Sequence, residues 1–133
     1  MTSKLDHIPA FPVNGSTHEI GAWGESLACK HLEARGFLIL DRNWRTRYGE
    51  LDVVAWSESD ATLIAVEVKT RREGGQVPAV LAISRQKISR LRSMLGQWLA
   101  VHEICSSALR VDLVAVTVND AAGWYLEHIE AIA

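Results

Sequence analysis

No apolar run in the chain approaches the ~18 residues of a membrane-spanning helix, so no membrane partner is expected. Cysteine is scarce: Cys29 and Cys105 stand far apart among 133 residues, with no C-x-x-C pair. That excludes a disulfide framework and a zinc ribbon, and both thiols are expected to be small buried hydrophobes. The five histidines show no H-x-x-x-H spacing, so His31 and His102 are expected to be satisfied boundary residues rather than ligands. Neither Ser84 nor Cys29 has a recognisable triad partner, which removes the argument for a nucleophilic hydrolase. The N-terminal residues lack the apolar centre of a signal peptide, and a cytoplasmic location is the expectation. Excess charge of one sign is missing too. Fourteen Lys and Arg against sixteen Asp and Glu give −2, a balance that at face value speaks against nucleic acid.

What is present reads as one α/β domain over residues 16–133 behind a flexible tail of residues 1–15, where Pro9, Pro12 and Asn14-Gly15 punctuate the chain. Ser16 and Glu19 have capping-box spacing and open a first helix with Ile20, Gly24, Leu27, Ala28, His31 and Leu32 facing inward; Gly36 closes it. Strands are expected over Phe37–Asn43, Tyr48–Trp56 and Ala61–Thr70, joined by connections short enough for an antiparallel meander. A loop at Gly74-Gly75 and Pro78 precedes a second helix capped by Ser84, with Ile88, Leu91, Leu95, Trp98, Leu99 and His102 on one face. A doubly buried strand over Leu109–Val118 and a shorter segment, Gly123–Ile132, complete the order α-β-β-β-α-β(-β). The crossover through the second helix makes the third and fourth strands parallel, giving a mixed sheet flanked by helices.

Charge within apolar strands marks the chemistry. Alternation puts Glu67 and Lys69 on one face of the third strand, and Asp52 of Gly49-Glu50-Leu51-Asp52 lies across from them in a short-looped meander. Converging carboxylates would offer oxygens to Mg²⁺ or Mn²⁺, with a lysine where phosphate charge develops. The alternative is a solvated sheet face with cross-strand ion pairs, but unpaired charge in Ile64–Lys69 and Leu51–Ala55 would be expensive. Gly21 and Gly24 each cost about 1 kcal/mol in a helix, which makes sense where the helix backbone approaches the sheet, and Glu25 borders that approach. The −2 conceals sorted charge: residues 30–92 carry twelve cations and eight acids, and no acid occurs between Gly74 and His102. Arg42, Arg45 and Arg47, then Lys69, Arg71 and Arg72, then Arg85, Lys87, Arg90 and Arg92 form three clusters suited to phosphates. Trp44, set among arginines, is the tryptophan to test for stacking on bases; Trp98 is expected in the core.

Gly24-Glu25-x-x-Ala28, Gly36-Phe37, Asp41-Arg42-Asn43-Trp44-Arg45, Gly49-Glu50-Leu51-Asp52, Val66-Glu67-Val68-Lys69-Thr70-Arg71, Lys87-x-x-Arg90-Leu91 and Arg110-Val111-Asp112-Leu113-Val114-Ala115-Val116 together resemble the bacterial YraN-like family of the PD-(D/E)XK, or restriction-endonuclease-like, nuclease superfamily. The likeness runs from about residue 19 to 130, and the chain is also similar to archaeal Holliday junction resolvases. The resemblance implies an αβββαβ restriction-endonuclease-like core and a Mg²⁺- or Mn²⁺-dependent endonuclease acting on DNA, branched or repair intermediates included. It makes Asp52 and Glu67 the metal-binding acids, Lys69 the catalytic lysine and Glu25 the helix-one glutamate. Leu51 replaces the proline that names the superfamily. Arg45, Arg47, Arg71, Arg72, Arg85 and Lys87 are the expected nucleic-acid contacts. Resolvases are dimers, so a homodimer is a further expectation from the resemblance. The alternative is a nucleic-acid-binding module with the same fold and no turnover.

Overall fold

Ser16 Oγ accepts the Glu19 N–H at 3.1 Å while Glu19 Oε1 accepts the Ser16 N–H at 3.2 Å. This reciprocal cap satisfies two of the four donors left over at a helix start and begins α1 (Thr17–Ala34). A computed structural model of the chain describes residues 10–73, 83–119 and 123–133. Gly36, at φ 94°, ends α1 in the left-handed region that glycine adopts without a Cβ clash. There follow β1 (Leu38–Thr46), β2 (Gly49–Ser57), β3 (Thr62–Arg72), α2 (Arg85–His102), β4 (Ala108–Asn119) and β5 (Gly123–Ile129). The loop expected at Gly74-Gly75 and Pro78 lies outside the described residues.

The five strands lie side by side in chain order, antiparallel except for the β3–β4 pair, which is parallel. This is the mixed sheet flanked by helices that the element order implies. One core lies between α1 and the sheet, where Leu27, Ala28 and Leu32 meet Val53, Val66, Val114 and Val116. A second lies under α2, where Leu91, Met94, Leu95 and Trp98 meet Leu51, Val54, Leu63 and Ala65. Covered on both sides, the inner strands dispense with strict alternation, and eight consecutive residues of β4 are buried. Among the described residues no helix is long and apolar enough to cross a membrane.

Several sequence expectations change. Cys29 is buried, and burial pushes its thiol up to about 11, but Cys105 is exposed. It lies beyond α2, where the chain turns towards β4 and no longer faces a core. Trp44 packs partly buried against the α2-side core, edge-on to His102, rather than standing out among the arginines. His102 bonds the Trp98 carbonyl, whereas His31 Nε2 is buried with no hydrogen-bond partner among the described residues. Phe11, within the expected tail, lies edge-on to Trp23 with ring centroids 5.0 Å apart.

The two glycines of α1 divide. A Cβ at Gly24 would stand 1.7 Å from Thr70 Oγ1 and 2.9 Å from Thr70 Cβ, so helix backbone lies directly on β3. A Cβ at Gly21 would meet nothing within 4 Å, and the close approach does not extend to it. Gly24→Ala is therefore expected to destabilise the protein by about 1–3 kcal/mol through overpacking. Gly21→Ala should stabilise it by about 0.4–1 kcal/mol, because alanine loses less chain entropy on folding. Urea unfolding midpoints that move in the same direction for both variants would contradict this packing.

Candidate active site

The β2–β3 ladder runs from Ser57↔Thr62 to Val53↔Val66 and stops, while β3 remains paired with β4 out to Arg72. Past that point the Val68 N–H donates to Asp52 Oδ2 at 3.0 Å, so a carboxylate stands where a strand would be. On β1, opposite, the ladder steps from Arg42↔Val53 to Trp44↔Leu51. Asn43 between them has φ 53°, a left-handed conformation that asparagine tolerates better than most residues. The twist has a consequence that simple alternation misses: Val53 packs in the α1-side core and Leu51 in the α2-side core. Asp52 sits at the crossing.

Glu67 lies on the α2-facing side of β3 and is 4% exposed. Its Oε2 is 3.3 Å from Lys87 Nζ and 4.0 Å from Lys69 Nζ. The Asp52 carboxyl lies close enough to Glu67 to feel its charge and to hydrogen-bond to it when neutral. Burial first, then the Glu67 charge and that hydrogen bond, push Asp52 up to about 8; the Val68 N–H opposes this and Glu25 adds to it. Glu25 is also raised, chiefly by burial, with the Asn43 side-chain hydrogen bond and Arg42 working against Glu50 and Glu67. The structure thus brings Glu25, Asp52, Glu67 and Lys69 together, with Glu50 and Lys87 beside them.

Between α1 and the outer half of β3 runs a cleft of about 370 Å³, bordered by Glu25, Lys69, Arg71 and Arg72. The other expected phosphate contacts do not line it. Arg45 pairs with Glu50 at 3.1 Å, and Arg47 lies 4.9 Å over the Tyr48 ring and donates to its hydroxyl at 2.6 Å. Arg85 is exposed at the first turn of α2, which contains no acid. Lys87, grouped by sequence with these cations, lies 3.3 Å from Glu67 Oε2.

No group of three or more His, Cys, Asp or Glu side chains among the described residues is disposed to hold a metal ion. The Asp52–Glu67 pair is a hard-oxygen donor set, however, and Mg²⁺ typically takes only one or two protein carboxylates and keeps several waters. Burial and the nearby Glu67 charge both work against a second negative charge at Asp52, and an ion on the pair would offset that. The residues present therefore fit Mg²⁺ or Mn²⁺.

A second buried carboxylate is not singled out by spacing. Asp112 of β4 is fully buried and takes Arg110 on both oxygens, at 2.8 and 3.0 Å. It also accepts from the Ala131 N–H at 2.9 Å and is 2.8 Å from His128 Nε2. Arg35 Nη1 lies 2.9 Å from His128 Nδ1; since a guanidinium can only donate, the ring proton belongs on Nε2, directed at Asp112. The one legible signal is the Arg110-x-Asp112 pair on a single strand face.

A family model described as "Uncharacterised protein family UPF0102" matches residues 24–116, a span containing every acid and lysine of the cleft. The chain is 42% identical over 114 residues to a "UPF0102 protein" of Mycobacterium sp. (strain JLS), covering 86% of this chain and 84% of that one. A "UPF0102 protein" of Mycobacterium tuberculosis (strain ATCC 25177 / H37Ra) is 42% identical over 117 residues, covering 86% and 91%. One of Mycobacterium ulcerans (strain Agy99) is 40% identical over 114 residues, covering 86% and 93%.

Proposed function

The chain belongs to the uncharacterised protein family UPF0102, and from that premise, which names no reaction, we propose that it is a divalent-metal-dependent endonuclease-like protein acting on DNA phosphodiesters. The observation that carries this reading is the meeting of Asp52 and Glu67 at the point where β2 leaves β3, with two ammonium groups on Glu67. Asp52 and Glu67 are the residues that would hold Mg²⁺ or Mn²⁺. Such an ion supplies Lewis-acid polarisation of a phosphoryl oxygen and a more acidic water. Lys69, with 43% of its side chain exposed, reaches both Glu67 and the solvent-facing cleft, so its ammonium can turn to a phosphate without backbone movement. Glu25 borders the cleft as an outer acid, and Arg71 and Arg72 line the route a phosphate backbone would follow.

One observation favours a second reading, a DNA-binding module without turnover. Lys87 at 3.3 Å already compensates part of the Glu67 charge. Incubation with junction, flap and single-stranded DNA in Mn²⁺ separates the two. Endonuclease action is expected to fall about 10²-fold or more in Glu67→Gln, the scale on which an electrostatic catalytic group acts. Mn²⁺ binding, followed by calorimetry, should be lost with it. A module without turnover would cleave nothing, bind DNA equally well in EDTA, and lose affinity steeply with salt. Cleavage undiminished in Glu67→Gln would remove the assignment.

A further inference from the structure

Beyond the carboxylate cleft, on the α1 side of the sheet, lies a second hollow of about 410 Å³, within the range of small-molecule sites. Phe11, Val118 and Trp124 make its walls apolar, and Asn119 contributes an amide. The aromatic rings are fixed by one another. Phe11 and Trp124 each stand edge-on to Trp23, at 5.0 and 6.3 Å between centroids. Gly123, at φ 95°, also lines it. Trp124 is 39% exposed, unusually open for a ring fixed in this way.

The position of the hollow matters more than its size. Arg72 lines both it and the cleft that holds Glu25 and Lys69, and its guanidinium lies 5.5 Å over the Phe11 ring. Lys69 and Arg72 are three strand residues apart, about 10 Å. An apolar aromatic slot, a guanidinium at its mouth and a basic cleft beyond match the parts of a nucleotide in order: a flat ring, then a phosphate, then the next phosphate. A lipid chain or an apolar peptide would have no use for the cation between them.

We propose that this hollow seats an unpaired nucleobase of the strand whose phosphate enters the Glu25–Lys69 cleft. Its substrate class is then nucleic acid with an unstacked base beside the reacting phosphate, not continuous duplex. The inference rests on the nucleic-acid reading above and adds the slot. Aromatic platforms are sequence-tolerant because every base has a π-face, so the slot selects for an unpaired base and not for one sequence.

The test uses the full chain in EDTA, so that cleavage plays no part. Single-stranded and duplex oligonucleotides carry 2-aminopurine at successive positions. One register of the single strand is expected to show quenched 2-aminopurine fluorescence on binding, and the duplex none. Trp124→Leu should abolish the quenching and weaken single-strand binding about 5- to 150-fold, the scale of one base–aromatic stack. Phe11→Leu, on the opposite wall, gives the same result and carries the test should Trp124→Leu not fold. Equal binding of single strand by wild type and both variants, with no quenched register, overturns the slot and leaves the nucleic-acid reading standing. No binding of either oligonucleotide overturns both.

Discussion

Asp52→Asn is expected to make the metal-free protein more stable at pH 9 by at least about 2 kcal/mol, while abolishing metal binding. The Asp52 carboxyl sits near 8 in the folded protein and near ~3.9 in an unfolded chain. Between those values the folded state holds one proton more. Stability therefore falls as pH rises from about 4 to about 8, by at most about 1.4 kcal/mol per unit, and stays low above. Asparagine reproduces the neutral carboxyl: Oδ1 can accept the Val68 N–H and Nδ2 can donate to Glu67, with no charge to lose. The gap between variant and wild type should accordingly open with rising pH. It should close again when Mn²⁺ is added, because an ion that binds only the folded wild type stabilises it, by about 2.7 kcal/mol at a hundred times its Kd. Urea unfolding in EDTA at pH 5, 7 and 9, repeated with Mn²⁺, measures this. A variant less stable than wild type at pH 9 in EDTA would mean that the two acids do not repel in the folded chain.

At Asp112 the expected result has the opposite sign. Asp112→Ala should cost about 3–5 kcal/mol, since it leaves the buried His128 ring without its acceptor and Arg110 with only the longer Glu130 pair at 4.0 Å. Asp112→Asn should recover little of this. The guanidinium, the His128 ring and the Ala131 amide all donate, and an amide brings a fifth donor into a site that needs only acceptors. Burial alone would raise this carboxyl, but hydrogen bonds from His128, Arg110 and Ala131 outweigh it and hold it below the usual range. Its contribution is thus complete above the unfolded value of ~3.9 and lost as pH falls through the lower folded one. A loss under about 1 kcal/mol in Asp112→Ala would refute the network. Both variants can be followed in the same pH series, where Asp112 governs the acid limb and Asp52 the decline towards alkaline pH.

What could be read from sequence was what depends on neighbours along the chain. Ser16 and Glu19 cap each other three residues apart, and Glu67 and Lys69 share a face because strand side chains alternate. The crossover length dictated a parallel β3–β4 pair. Features that depend on distant partners were not legible. Lys87 reaches Glu67 only because α2 begins above the end of β3, and the Asp112 network joins the residue that caps α1 with residues of β4, β5 and the chain beyond. Leu51 and Val53 face different cores, and opposite them Asn43 takes a left-handed backbone angle that no hydrophobic pattern records. Gly24 and Gly21 look alike in a helical repeat, yet only one has β3 against it. Cys105 and Trp44 were misplaced for the same reason, since neither an apolar nor a basic neighbourhood in sequence says which side of the chain meets a core.

The early end of the β2–β3 ladder has a mechanical side. From Val53↔Val66 outward the sheet forks: β1 and β2 form one tine, β3 and β4 the other, and each carries one of the two acids. The two acids thus sit on different tines, bridged by the hydrogen bond from the Val68 N–H to Asp52 Oδ2. The free tine rests on α2, where Thr46 Oγ1 lies 3.7 Å from Met94 Sδ and Gly49 faces the same thioether. The turn between β1 and β2 thus rests on a thioether, beyond the last β2–β3 pair at Val53↔Val66.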